Sequence, residues 1–295
     1  MKMLRMQRQA TCLLLVFLMG TVFPGGPSGA VEGPKTAHPE MLSHRAIYKI
    51  SLAGPNRNKG QLSEVSGRMV TEWQQTCDGV IAEQRIVTDM LDEAGDKSVS
   101  DISASSWESL DGLRFRFSMR QRLDNELMAE YDGTATLDAA RGPGVAAIRK
   151  PEEKSLKLPA GIQFPSAYMQ SLIEAARAGQ KRLAGQVFDG TSESDYYEVV
   201  TAIGSGTTSA AAEQTEVANQ PPGAHKSVKA AVAGLTWWPV QVSYYALNNN
   251  EGLPEFEMAF RLYDNGVSTD LTLDYGAFAL FVALQRIDTY KAPDC

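Results

Sequence analysis

In the stretch Leu113-Arg114-Phe115-Arg116-Phe117-Ser118-Met119-Arg120, apolar and polar residues alternate without a fault. Successive side chains of a β-strand point to opposite faces, so the stretch places four apolar side chains on one face and four polar ones on the other. This pattern predicts an antiparallel strand with one buried face and one face in water. The fold class that follows is all-β.

The same alternation recurs elsewhere, including residues 46–52, 256–262 and 271–275. With the turn signals between such segments, it predicts roughly twelve to fourteen strands. The turn signals are pairs whose glycine permits the positive φ of a tight turn: Asp78-Gly79, Asp111-Gly112, Asp132-Gly133 and Asn265-Gly266. The apolar faces should share one interior, lined by Phe115, Phe117, Phe256, Met258, Phe260, Leu271 and Leu273.

One segment departs from this period and predicts a single helix. After Phe164-Pro165, Ser166 can cap a helix whose apolar residues from Tyr168 to Ala176 recur at helical spacing, and the helix should end near Gly179. It should pack on the sheet or close an opening in it, and packing is the favoured role.

The first thirty residues have the parts of a secretory signal peptide. Basic residues precede an apolar run from Ala10 to Phe23, and small residues follow up to Ala30, after which we expect cleavage. The run has 14 residues, whereas a membrane-spanning helix needs about 20. We therefore expect an exported chain that does not span the membrane, with residues 31–41 as a flexible arm and 42–295 as a single domain.

Residues 204–233 differ in composition from the rest of this domain. They are rich in Ser, Thr, Ala, Gly, Gln and Pro and nearly lack large apolar side chains. Such a segment cannot bury enough apolar surface to offset the entropy of ordering, so it is expected to be a mobile insertion between strands. A lid that becomes ordered on ligand binding is the alternative.

Charge excludes some classes of partner. Without residues 1–30, 25 basic against 35 acidic side chains give a net charge of −10, compared with −7 for the full sequence. An acidic surface without a basic run argues against nucleic acid and against docking on anionic lipid headgroups.

Two cysteines, Cys77 and Cys295, remain after removal of the signal peptide. In an oxidising compartment a disulfide between them is expected, and it would tie the last residue to a turn near the start of the domain. Two free thiols are the alternative. A catalytic redox pair is disfavoured because the sequence has no C-x-x-C motif.

The sequence carries no motif for catalysis, a cofactor or a metal, so no enzyme is expected. Its histidines His38, His44 and His225 lack metal-ligand spacing, and no G-x-S-x-G, Walker or dinucleotide motif occurs. A hydrolase triad would depend on His44 as its base, and a structural histidine is the favoured interpretation.

Of Trp237 and Trp238, one should face the interior and the other the helix, a loop or a partner.

Five features make the chain resemble the EipB-like cell-envelope integrity family of alphaproteobacteria. They are His44-Arg45-Ala46-x-Tyr48, the hairpin from Gly67-Arg68-Met69 to Cys77-Asp78-Gly79, Phe164-Pro165, Val187-Phe188-Asp189-Gly190, and the terminal Cys295. The resemblance covers residues from about 40 to 295. It implies a non-enzymatic periplasmic protein whose long antiparallel sheet winds into an open, spiral-like barrel closed by a disulfide, with Cys77 and Cys295 matching the family's pair.

Two functions are compatible with these features. The first is an envelope integrity and maintenance factor that binds periplasmic or outer-membrane envelope proteins, including lipoproteins. The second is a carrier of a lipid or lipid-like molecule, because barrels of more than about eight strands can enclose a cavity. The inward-facing apolar residues would line either a filled core or a pocket, so the sequence does not separate the two.

Overall fold

A computed structural model describes residues 41–54, 62–191, 195–208, 225–247, 252–291 and 293–295. The predicted signal peptide with its cleavage after Ala30, nearly all of the 31–41 arm, and residues 209–224 of the predicted insertion lie outside the described residues. No helix in the described ranges is long and apolar enough to cross a membrane.

The described residues form sixteen strands and two helices, against the twelve to fourteen strands and one helix predicted. The strands are β1 His44–Leu52, β2 Leu62–Gln75, β3 Gly79–Asp92, β4 Lys97–Ser109, β5 Arg114–Leu123, β6 Glu126–Leu137, β7 Gly144–Lys150, β8 Lys154–Leu158, β9 Ile162–Gln163, β10 Arg182–Val187, β11 Tyr197–Ile203, β12 Thr207–Thr208, β13 Thr236–Ala246, β14 Phe256–Tyr263, β15 Ser268–Asp274 and β16 Ala279–Thr289. The helices are α1 Pro165–Arg177 and α2 His225–Val232.

All strands belong to one sheet, which confirms the predicted barrel-like architecture. Its order is β8-β7-β6-β5-β4-β3-β2-β1-β16-β15-β14-β13-β11-β10-β9, with β12 beside β13. Two meanders are therefore joined where β1 pairs with β16. The sheet's outer strands, β8 and β9, are consecutive in the chain but do not pair in this order, so the barrel keeps one open seam.

Of the four predicted Asp-Gly and Asn-Gly turns, two form with the expected positive φ at the glycine, and one is wrong. Gly112 and Gly266 have φ of +67° and +83° in the β4–β5 and β14–β15 turns. The prediction of a turn at Asp132-Gly133 is wrong, because both residues lie inside β6. A Cβ at position 133 would lie 2.6 Å from Phe117 Cζ, so this glycine makes room for a core aromatic ring.

Helix α1 buries the predicted apolar face, including Tyr168, Leu172 and Ala176. Its predicted cap is wrong: Phe164 occupies the N-cap position and makes no side-chain cap hydrogen bond. The carboxylate of Glu108 in β4 instead accepts hydrogen bonds from the backbone N–H groups of Ser166 and Ala167, at 2.6 and 2.8 Å. The first turn of α1 is thus fixed to the end of a strand.

The predicted insertion at 204–233 contains ordered elements at both of its ends, namely β12 and α2. Helix α2 lies against β16, and its Val228, Ala231 and Val232 pack on the core. The backbone N–H of Ile287 donates to Ser227 Oγ at 3.3 Å. This part of β16 extends beyond its pairing with β15, which covers only residues 279–282 of β16. A short apolar stripe at helical spacing is therefore enough to order α2 against an uncovered strand.

Cys77 and Cys295 form a disulfide with a Cα–Cα distance of 5.7 Å. Cys77 lies in the turn between β2 and β3, so the bond joins the last residue to the β2–β3 hairpin. It lies in the same part of the sheet as the β1–β16 pairing, because β2 is the neighbour of β1.

Candidate functional site: an interior cavity and an outer groove

The interior residues predicted from sequence are all buried, with at most 8% of their surface exposed. They do not form one site. Phe115 and Phe117 pack with Phe164 and Phe188, with ring centroids 5.0 Å apart for Phe115–Phe164 and 5.6 Å apart for Phe117–Phe188. Phe164 and Phe188 directly follow β9 and β10 in the chain, so this aromatic cluster joins β5 to the end of the second meander. Phe115 and Phe117 were predicted to line the interior, but the interior cavity does not include them.

A cavity of about 210 Å³ lies elsewhere in the barrel. Four of the predicted residues line it: Phe256, Met258, Leu271 and Leu273. The lining does not include Phe260, which lies where the β14–β15 register shifts. Tyr48 and Tyr275, from segments predicted to alternate, and Met169, from the predicted helix, also line the cavity. The sequence reasoning missed Met69 and Trp73 of β2.

Small side chains leave this space open. Thr71 of β2, Ala82 of β3 and Ala104 of β4 are small inward-facing residues that line the cavity; Thr71 and Ala104 flank Gln84 in the sheet, and Ala82 lies opposite Trp73. Larger side chains at these positions would fill it, as the phenylalanines do on β5. Small residues on the inward face of β4 could have predicted the cavity from the sequence. An analysis of apolar and polar alternation does not detect them, because it does not take side-chain size into account.

Several polar groups of the cavity wall are bonded within the wall, whereas Gln84 Oε1 is buried and has no hydrogen-bond partner among the described residues. Tyr48 Oη donates to the Ser268 carbonyl at 3.1 Å, and Gln84 Nε2 donates to Met69 Sδ at 3.1 Å. His44 Nδ1 donates to the Leu42 carbonyl at 2.6 Å. Burial lowers the pKa of His44, an effect only partly offset by that hydrogen bond. The lowered pKa keeps the His44 imidazole uncharged at neutral pH, and the cavity wall is largely apolar.

A second concavity lies on the outer face of strands β1 to β5, with a volume of about 480 Å³. Its lining includes Ser103, Ser105 and Ser118, and the guanidinium groups of Arg45, Arg85 and Arg120 lie around them. Arg85 pairs with Asp101 at 2.9 Å and Arg120 with Glu130 at 2.7 Å. Small outward side chains between long charged ones produce this outer groove, which the sequence reasoning did not identify.

Two buried carboxyl groups lie near the aromatic cluster. Burial raises the pKa of Glu108 to about 7 against the opposing effect of its hydrogen bonds from Ser166 and Ala167. Burial also raises the pKa of Asp189 to about 7, although Asp189 accepts a hydrogen bond from the Thr191 N–H at 2.9 Å. Both oxygens of Glu108 are used to hold α1, which is a structural role.

The two adjacent tryptophans point to opposite faces, as expected for a strand. Trp238 is 6% exposed and belongs to the interior, whereas Trp237 packs beneath the Arg261 guanidinium, 4.7 Å from the ring centroid.

Within the described ranges, no group of three or more His, Cys, Asp or Glu side chains is arranged to hold a metal ion.

The sequence matches the EipB-like family over residues 35–291. It is 32% identical over 273 residues to the cell envelope integrity protein EipB of Brucella abortus (strain 2308), covering 92% of this chain and 91% of that protein. The fold is similar to the crystal structure of a β-barrel-like protein of the DUF1849 domain from Brucella abortus. That similarity has a TM-score of 0.73 at 30% identity and covers 85% of this chain and 99% of that chain.

Proposed function

This chain belongs to the EipB-like family, and on that premise we propose that it maintains the cell envelope by binding periplasmic or outer-membrane envelope proteins, without catalysing a reaction. The name of the Brucella relative supports the role in envelope integrity. The mode of action, protein binding in the periplasm, is our addition and includes lipoproteins among the partners.

The outer groove is the observation that supports protein binding. It offers hydroxyl groups from three serines together with three guanidinium groups on a rigid sheet, so a partner can be bound by hydrogen bonds to side chains of fixed position. Arginine is also a residue type enriched where proteins bind each other. A mixed polar surface of this kind suits a folded protein surface or a polar peptide.

A complementation experiment tests this function. In a strain that lacks the gene, a variant with Arg85→Glu and Arg120→Glu should fail to restore resistance to detergent, because two of the three guanidinium charges at the groove are reversed. The matched control reverses Lys49 and Arg122, which are exposed on the same outer face but do not line the groove. Equal restoration by both double variants would contradict binding through the groove.

The interior cavity favours a second function, that of a carrier for a lipid or lipid-like molecule. Its apolar lining from both meanders matches the usual make-up of small-molecule sites, which are concave and mostly apolar. Replacing Leu273 by Trp would occupy the cavity and leave the outer groove unchanged. Loss of detergent resistance with this variant, but not with the groove variant, would identify the carrier as the physiological activity.

A further inference from the structure

We propose that the interior cavity binds the end of one straight alkyl chain, about eight carbon atoms long, and leaves the polar head of the same molecule outside the barrel. The proposal rests on the carrier function and adds to it the class of ligand and the length of chain that is buried. Three properties of the cavity lead to it: its volume, the absence of a charge on its inward faces, and the flexibility of its lining.

The volume limits the ligand to one chain. An apolar cavity of about 150 Å³ holds benzene, which has six carbon atoms. By the same ratio, about 210 Å³ holds about eight carbon atoms. Sites for whole drug-sized molecules are larger, at about 300 Å³ or more. A lipid with two or three chains therefore does not fit inside, whereas the terminal part of a single chain does.

The chemistry of the lining suits an uncharged chain end. Among the cavity's lining residues, the carboxylates belong to Glu72 and Glu83, which alternate with the inward-facing Trp73 and Ala82 and so occupy outward positions. The Glu72 side chain is 33% exposed and lies 3.9 Å from Arg45 Nε. A carboxylate or phosphate head would lose hydration inside this space without gaining a counter-charge, so it should stay in water.

Three methionines, Met69, Met169 and Met258, contribute to the lining. Methionine side chains have three rotatable bonds and adapt to ligands of irregular shape. Met169 is the α1 residue among them and is only partly buried. Arg177 at the end of α1 pairs with Asp264 of the β14–β15 turn at 2.6 Å, so we place the opening for the chain beside Met169, in the first half of α1.

The test measures affinity against chain length. Straight-chain carboxylates from four to fourteen carbons are titrated by calorimetry into the disulfide-bonded protein from residue 31 onwards. Each buried methylene contributes about 0.8 kcal/mol, so the dissociation constant should fall about fourfold for each added carbon up to about eight and then stay constant. A steady fall through fourteen carbons would overturn the proposal.

Variants locate the site. Leu273→Trp should weaken binding of the eight-carbon acid at least tenfold, and Thr272→Trp, the neighbouring outward residue of β15, should leave it unchanged. If Leu273→Trp unfolds the protein, Ala104→Phe on β4 serves the same purpose, with Val99→Phe at an exposed outward position of the same strand as its control. Binding that survives both cavity variants overturns the inference while leaving a carrier function at another site. No binding by any acid overturns the carrier function as well.

Discussion

Replacing Glu108 by Gln should remove a large part of the pH dependence of stability. Glu108 is 3% exposed, and burial raises its pKa from the ordinary value of 4.5 to about 7. Between these two pH values the folded protein keeps the proton that the unfolded chain releases. Because the folded state then binds more protons than the unfolded state, the free energy of unfolding falls as pH rises.

The size of the effect follows from the pKa difference. Each pKa unit corresponds to about 1.4 kcal/mol, so stability should decrease by about 3 kcal/mol between pH 4.5 and pH 7 because of this one group. The glutamine variant carries no such proton. The difference in unfolding free energy between wild type and Glu108→Gln should therefore shrink or reverse by about 3 kcal/mol over this range.

Urea titrations at pH 4.5, 5.5, 6.5, 7.5 and 8.5 measure this difference directly. Taking the difference between the two proteins cancels other groups, including His44, whose lowered pKa acts in the opposite direction and costs stability as pH falls. Glu83→Gln, on an exposed position of β3, is the control and should parallel the wild type. Parallel curves for wild type and Glu108→Gln would refute the reasoning.

Four further variants test the packing, the disulfide and one surface contact. Phe117→Ala should cost about 3 to 5 kcal/mol in urea titrations, whereas Phe281→Ala, at 38% exposed, should cost less than about 1 kcal/mol; equal losses would mean that the aromatic cluster does not stabilise the fold. Cys295→Ser should lower stability by up to about 5 kcal/mol because the loop closed by the bond is long, and thiol labelling of the unreduced wild type should find no free cysteine. Arg261→Asp should destabilise the protein by about 1 to 2 kcal/mol, since it removes the contact with Trp237 and places a carboxylate beside Asp270, 3.4 Å from Arg261 Nε; a neutral effect would show that this contact is not needed.

The strands were predictable because their signal is local. Alternation in β5, β14 and β15 fixes which side chains point inward, and the buried positions agree with it residue by residue. Glycine was less informative. The same Asp-Gly pair forms a turn at 111–112 but lies within a strand at 132–133, and the difference depends on Phe117 in the neighbouring strand. A single segment cannot reveal which strand will lie beside it.

The cavity could be predicted only in part for the same reason. Only part of its lining comes from β14 and β15, whose apolar pattern is strong. A larger part comes from β2 to β4 and depends on which of their residues lie level with β14 and β15 across the barrel, and this requires the pairing of β1 with β16. The outer groove depends on the alignment of Ser103, Ser105 and Ser118 on two strands. Helix α2 was missed because its apolar residues are few and stabilise a helix only when they pack against β16.

The joining of two meanders at β1 and β16 has a consequence for how the chain folds. Within β1–β8 each strand pairs with its neighbour in sequence, and the same holds for most of the second meander, so both can form from local hairpins. The pairing of Leu52 with Leu280 must wait until both are complete. Long-range pairings of this kind make folding slow, and until they form the edges of β1 and β16 can pair with another chain. We therefore expect the β1–β16 pairing to be the rate-limiting step of folding and the point at which the chain is most prone to aggregate.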